Sequence, residues 1–196
     1  MQEDRPLTVE EFLAVKPDLP EAGRWHELVA GHIRDLQPPS VRHTTVVFNF
    51  SKALGQFLET NPCGYACYEL GLIVARNPDT VRFPALSFFT SGERFAEWDQ
   101  EATEHVPALI FDVISTPKRR QEMPRRLAEY FAWGVQEVWV VEPEAEVVRV
   151  YTSPRACRVW DREARLDGSR TSASAPLQGF SMPVGELFQE PEWWQR

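Results

Sequence analysis

The amino-acid sequence predicts an α/β fold in which a mixed β-sheet is flanked by helices. The first observation is the order of patterns along the 196 residues: helix, hairpin, helix, three strands, helix and two strands. The second is the composition, since 43% hydrophobic and 12% aromatic residues are typical of a globular protein with a sizeable core. We expect one domain over 1–196, with an N-terminal helix and hairpin at 8–36, a core at 40–151 and a C-terminal extension at 152–196.

The N-terminal part shows the signals of a capped helix followed by a tight hairpin. Thr8 and Glu11 are spaced as a capping box, which predicts a short helix from about Val9 to Val15. The stretch "RWHELVAGHIRDL" at 24–36 then predicts two short strands, because Gly31 supplies the positive φ that a tight turn needs.

The middle of the chain alternates between helical and strand patterns. Apolar residues recur with a helical period after Ser40, which predicts an amphipathic helix that ends before "NPCG". Two β-type runs at 66–75 and 81–89 follow, joined by the turn residues of "RNPDT", so we expect one antiparallel hairpin. The stretch "ALIFDVIS" at 108–115 predicts a buried strand.

The last third predicts a helix, two strands and a strand-and-turn extension. The helix is expected from about Glu122 to Gly134, with Pro124 in its first turn, where a missing N–H costs nothing. "EVWVVEP" and "VVRVYTS" predict the two strands, and "GFSMPVGELF" predicts a short terminal helix.

Charge and cysteine content narrow the classes of function. With 21 basic and 29 acidic residues the net charge is −8, which works against general adhesion to nucleic acid, so any such contact has to be local. Three cysteines do not make a disulfide framework. The sequence shows no membrane-spanning run and no signal-peptide layout, so we expect a cytoplasmic protein without a membrane partner.

Asp112 is unusual because it lies in the middle of a strand that is otherwise apolar. Strand alternation places it on one face with Ile110 and Ile114, where an ionised carboxylate is costly unless it meets a cation, a metal or hydrogen-bond donors. One interpretation is an ion pair with an arginine of "KRRQEMPRR" at 118–126. The other is a metal-binding acid, which needs further acids nearby, and the residues alone leave both open.

An ordered series of short motifs runs from Thr8 to Phe188. These motifs are "TVEEFLAV", "RWHELVAGHI", "SVRH", "RFPALSFF", "ALIFDVIS", "RRLAEYFAWGVQEVWVVEP" and "LQGFSMPVGELF". In this order and spacing they resemble the Uma-two family of restriction endonucleases, which belongs to the PD-(D/E)XK nuclease superfamily. The resemblance implies a restriction-endonuclease-like core, Mg²⁺-dependent cleavage of DNA and a homodimer.

The resemblance also implies four site positions. In the family they look like a glutamate on the first hairpin, an aspartate after proline, a glutamate on the next strand and a lysine on the following helix. Such carboxylates hold Mg²⁺, which polarises the phosphate and activates water, while the amine positions or activates the nucleophile. The matching positions in this chain are Glu27, Ala85, Asp112 and Arg126.

Three of these four positions depart from the family pattern. Asp112 keeps the negative charge of a glutamate but has a shorter reach. Arg126 keeps a phosphate-binding cation but gives up an amine that can lose its proton. Ala85 has no ligand atom at all, and Lys118, six residues beyond Asp112, is a candidate replacement for the missing lysine.

Two functional hypotheses follow from this pattern. In the first, the protein is a Mg²⁺-dependent DNA endonuclease with Glu27 and Asp112 as metal ligands and Arg126 or Lys118 at the phosphate. In the second, Ala85 marks a non-catalytic, dimeric relative that binds nucleic acid or protein. The residues themselves favour the second hypothesis, in which cleavage is lost. Classification by family alone would make the protein an endonuclease.

The basic segment next to Asp112 is the predicted nucleic-acid-binding surface. Arg119, Arg120 and Arg125 are expected to hold phosphates at the mouth of the cleft, unless they pair with acids such as Glu122 and Glu129. The C-terminal pair of residues 193 and 194, both tryptophan, is expected to cover a sheet edge of this chain or of a second copy.

Overall fold

The computed structural model describes residues 5–93, 96–97, 99–172 and 175–191. Three α-helices lie in this part of the chain: α1 (Val9–Val15), α2 (Val41–Thr60) and α3 (Pro117–Trp133). The strands are β1 (His26–Val29), β2 (His32–Asp35), β3 (Tyr65–Tyr68), β4 (Gly71–Ala75), β5 (Thr80–Arg82), β6 (Leu86–Phe89), β7 (Ala102–Thr103), β8 (Leu109–Val113), β9 (Glu137–Glu142), β10 (Val147–Tyr151), β11 (Cys157–Trp160), β12 (Arg165–Asp167) and β13 (Ser181–Pro183). Short 3₁₀ helices cover Lys16–Asp18, Pro20–Gly23, Gly168–Arg170 and Val184–Phe188.

Two larger sheets organise the molecule. The first has the strand order β2-β1-β5-β4-β7, and the second has the order β11-β10-β9-β8-β6-β3. In the second sheet β8 and β9 are parallel and their neighbours are antiparallel, so the predicted mixed sheet flanked by helices is confirmed. β12 and β13 form a separate antiparallel pair.

The N-terminal helix and hairpin match their predictions. The hydroxyl of Thr8 accepts from the amide of Glu11, and the Glu11 side chain accepts from the amide of Thr8, which completes the capping box. β1 and β2 pair antiparallel, and the turn between them has positive φ at Ala30 and Gly31, as this type of hairpin requires.

The prediction of one hairpin from 66–75 and 81–89 is wrong in one respect. The two runs do pair, but each breaks into two strands, so β4 pairs β5 in the first sheet while β3 pairs β6 in the second. Glu69 adopts a positive φ of 50° at one break, and Pro84, which has no amide donor, lies at the other. The bend therefore places Ala85 between the two sheets.

The predicted start of the third helix is also wrong. α3 begins at Pro117 rather than near Glu122, because Thr116 caps it by accepting from the Arg119 amide and Pro117 occupies the first turn. Pro124 lies inside the helix instead of in its first turn. Consequently Lys118 is on the helix and not in a loop.

The six-stranded sheet has different apolar clusters on its two faces. Leu109, Phe111 and Val113 of β8 pack with α2 and the C-terminal residues, as alternation predicts. Ile110 and Ile114 pack on the α3 side, which is the face that Asp112 shares.

Two further predictions concern the C-terminal tryptophan pair and the lack of a membrane-spanning segment. Residues 193 and 194 lie outside the described part of the chain, so their role stays a prediction. None of the helices described is both long and apolar enough to cross a membrane.

Candidate functional site

Three of the four positions that match the family pattern carry charge, and these three residues meet between the two sheets. Glu27 comes from β1 of the first sheet, Asp112 from β8 of the second, and Arg126 from α3, which lies over both. Each is fully buried, with 0% of its surface exposed. The fold therefore brings Glu27, Asp112 and Arg126 together.

Glu27 is held by two arginines and one backbone amide. Nη1 of Arg126 lies 2.6 and 2.7 Å from its two oxygens, and Nη1 of Arg82 lies 2.8 Å from Oε2. The amide of Phe83 donates to Oε1 at 2.8 Å. Burial by itself would raise the pKa of Glu27, but Arg126 and Arg82 outweigh it and lower the pKa to about 2. Glu27 is therefore ionised in the folded protein.

Asp112 is paired with arginines, which is the first of the two interpretations left open by the sequence. Nε and Nη2 of Arg126 lie 3.0 and 2.8 Å from Oδ2. Oδ1 accepts from the Val113 amide at 2.9 Å and from Nη1 of Arg119 at 3.4 Å. Arg119 and Arg126 are seven residues apart, so two helical turns bring both to the same face of α3.

Arg126 links the two acids. Its guanidinium contacts Glu27 and Asp112 and also donates to the hydroxyl of Tyr130 at 2.9 Å. Burial lowers the pKa of Arg126, but Asp112 and Glu27 together raise it well above its ordinary value. Because this side chain keeps its proton, it has no lone pair with which to activate water.

Arg82 is a part of the site that the sequence-based reasoning missed. It is 1% exposed, and it joins Glu27 to Glu129, whose Oε2 lies 2.7 Å from its Nε. The available signal was the same as for Asp112: a charged residue in the apolar run "VRFPALSFF". An arginine at that position needs a buried acid, and Glu27 is that acid.

The residues present do not fit a bound Mg²⁺ in this arrangement. Each of the four oxygens of Glu27 and Asp112 already has two nitrogen neighbours within 3.4 Å. Mg²⁺ requires about six oxygen ligands at about 2.1 Å, and Ala85 supplies none. Within the residues that the structure describes, no group of three or more acids, histidines or cysteines is placed to hold a metal.

The other predicted phosphate-binding cations lie outside this network. Arg120 pairs with Glu142 at 2.5 Å and Arg125 pairs with Glu129 at 2.8 Å, each with about half of its side chain exposed. Lys118 is half-buried in the first turn of α3 and forms no ion pair with any described residue. Their contacts with nucleic acid stay predictions.

Comparison with known proteins gives a family match and a structural match. The model of the family Uma2, described as "Putative restriction endonuclease", matches residues 9–185. A solved structure from Anabaena variabilis ATCC 29413, titled as a "putative nuclease belonging to DUF820", is 19% identical with a TM-score of 0.71 and covers 93% of this chain and 98% of that one. At this identity the structural likeness shows the fold alone. A search of curated proteins gave no match.

Proposed function

The chain belongs to the Uma2 family, and we propose that it is a member that binds nucleic acid without cleaving it by metal-dependent hydrolysis. One observation carries this proposal: the guanidinium of Arg126 lies between Glu27 and Asp112 and contacts both. A protonated guanidinium therefore lies where a nuclease of this type needs its metal ion.

Binding a metal at this place would require a large rearrangement. Arg126 would have to leave two buried carboxylates, and Arg82 would have to release Glu27 as well. Separating buried ion pairs of this kind costs about 3–5 kcal/mol per uncompensated charge. The cleaving alternative thus needs a conformation that this packing disfavours.

The nucleic-acid part of the proposal is supported by family membership and by local charge. With a net charge of −8, the chain has to make such a contact through a limited basic region. The basic residues of α3 near the site are the best placed, since Lys118 has no acid partner among the described residues and Arg120 and Arg125 are half-exposed. Assembly as a homodimer also belongs to the proposal, and light scattering in solution tests it.

A plasmid assay tests the proposed loss of cleavage. The unaltered protein is incubated with supercoiled DNA and Mg²⁺ or Mn²⁺, beside Asp112→Asn and an Ala85→Asp/Arg126→Lys variant that restores two of the three departing positions to the family pattern. We expect no metal-dependent nicking by the unaltered protein, while a gel shift detects binding. Cleavage that disappears in Asp112→Asn would overturn the proposal, and neither cleavage nor a shift would remove its nucleic-acid part.

A further inference from the structure

A small cavity lies beside the arginine network and shares Arg119 with it. Its volume is about 70 Å³, enough for several water molecules or one small oxyanion. Ala85 forms part of its wall, at the place where the family pattern has an aspartate. The other polar or charged residues that line it and matter here are Lys16, Arg24, His43, Glu69 and Arg119.

Two of these lining residues have buried nitrogen atoms without a hydrogen-bond partner among the described residues. They are Nε of Arg119 and Nδ1 of His43, in side chains that belong to residues only 4% and 8% exposed. A buried polar atom without a hydrogen-bond partner is energetically costly, so such atoms in a native structure indicate a missing partner. Nη1 of Arg119 donates to Asp112 only at 3.4 Å, and its Nε donates to no described residue.

The charge of the lining residues is opposite in sign to that of the whole chain. Three cations line the cavity, but Arg24 pairs with the lining acid Glu69 at 3.4 Å. Arg119 pairs with Asp112 at 3.4 Å, which leaves one positive charge, that of Lys16, uncompensated. Nζ of Lys16 lies 5.0 Å from the centre of the Phe83 ring and forms no ion pair with a described acid. One uncompensated positive charge beside two buried nitrogen atoms without partners favours an anion in this cavity.

We propose that this cavity binds one phosphate group. Arg119 and the Nδ1–H of His43 would donate to its oxygens from the wall, and Lys16 and Arg24 would supply charge at the opening. Ala85 favours binding of an anion over a cation. Compared with the aspartate of the family pattern, alanine leaves the space open and places no carboxylate there to repel an anion. The site stands without the proposed function, but a nucleic-acid strand as the source of the phosphate rests on that function.

The experiment uses the four histidines as reporters. Ring ¹⁵N spectra of the protein are recorded during a titration with inorganic phosphate, and we expect a saturable shift of the His43 resonances alone. The same titration with a single-stranded oligonucleotide, with and without a 5′-phosphate, distinguishes a free phosphate from a phosphate on a strand.

Matched variants test the contribution of charge. Lys16→Gln is expected to weaken phosphate binding about tenfold, the usual size of one charge-assisted hydrogen bond, while Lys52→Gln, an exposed lysine on α2, leaves it unchanged. Ala85→Asp is expected to weaken binding more than Ala85→Asn, because the two side chains have the same size and differ in charge.

The outcomes separate this site from the proposed function. No shift of His43 at millimolar phosphate overturns the site even when an oligonucleotide binds, and equal losses in Lys16→Gln and Lys52→Gln overturn it as well. Saturable phosphate binding without any response to oligonucleotides supports the site and removes the nucleic-acid proposal. A response that requires the 5′-phosphate supports both.

Discussion

Arg126 balances the charge of the buried centre. It contacts two fully buried acids, while Arg82 and Arg119 each contact only one of them. Removing one partner of such a group costs more than the pairing contributes, because the remaining charge is left in a medium of low polarity. The packing of the centre thus depends on Arg126, and under the proposed function the same residue takes the position of the metal.

Arg126→Met should destabilise the protein by about 3–5 kcal/mol, since methionine fills much of the space but leaves Glu27 and Asp112 without their shared partner. Urea denaturation followed by circular dichroism measures this change. The matched control is Arg125→Met on the exposed side of α3, which loses a half-exposed pair with Glu129 and should cost less than about 1 kcal/mol. Equal losses in the two variants would contradict the account.

The depressed pKa of Glu27 predicts how stability depends on pH. Because the folded pKa is about 2 and the ordinary value is 4.5, its contribution is complete above pH 4.5 and is lost as the pH falls towards 2. The difference in free energy of unfolding between the protein and Glu27→Gln should therefore shrink by about 3 kcal/mol across this range. A difference that does not change with pH would show that Glu27 is not held ionised by Arg126 and Arg82.

The sequence predicted part of this centre and not the rest. The sequence identified Glu27, Asp112 and Arg126, because each of them matches a family position or interrupts an apolar strand pattern. Arg82 was missed because the family pattern in this part of the chain concerns Pro84 and Ala85, and no family position falls on Arg82. The pairing itself could not be read from the sequence, since Asp112 had several arginines within reach and only the fold selects Arg126 and Arg119.

At the scale of elements, α3 positions the centre from its first turn onwards. Thr116 and Pro117 start the helix one and a half turns earlier than the sequence pattern indicated, and this places Arg119 on the helical face that meets Asp112. The pattern was misread because Pro124 resembles a helix start, although the surrounding turns hold it inside the helix.

Thr116→Ala should destabilise the protein by about 1 kcal/mol, because the hydroxyl accepts the otherwise unpaired amide of Arg119. Hydrogen exchange of the first-turn amides of α3 should accelerate at the same time. Ser40→Ala is the matched control: the Ser40 side chain makes no cap bond to α2, so its loss should cost little. A larger effect at Ser40 than at Thr116 would contradict the assignment of the caps.

The two sheets meet where the sequence suggested one continuous hairpin. Alternation in 66–75 and 81–89 identifies strands but does not reveal that Glu69 and Pro84 divide them between two sheets. That division depends on which strands lie next to each run in space, namely β1 for β5 and β8 for β6. Contacts of this kind are set by the tertiary fold and leave little trace in local pattern.

At the scale of the whole molecule, charge limits the contact with nucleic acid that we propose. The net charge is −8, and the arginines near the site are largely paired with acids. Few cations are therefore free to displace counterions from a strand.

The salt dependence of binding follows from this shortage of free cations. Plotting the logarithm of the association constant for duplex DNA against the logarithm of salt concentration should give a slope of about −1 to −3, corresponding to one to three phosphates. Fluorescence anisotropy with a labelled duplex measures it. A slope steeper than about −5 would indicate an extensive basic surface and contradict this charge distribution.

The metal-free centre is tested most directly by diffraction from crystals soaked in Mn²⁺, with data collected for anomalous scattering. We expect the guanidinium of Arg126 between Glu27 and Asp112 and no anomalous peak at that position. A Mn²⁺ peak bound to both carboxylates, with Arg126 displaced, would contradict the central claim that arginine has taken the place of the metal.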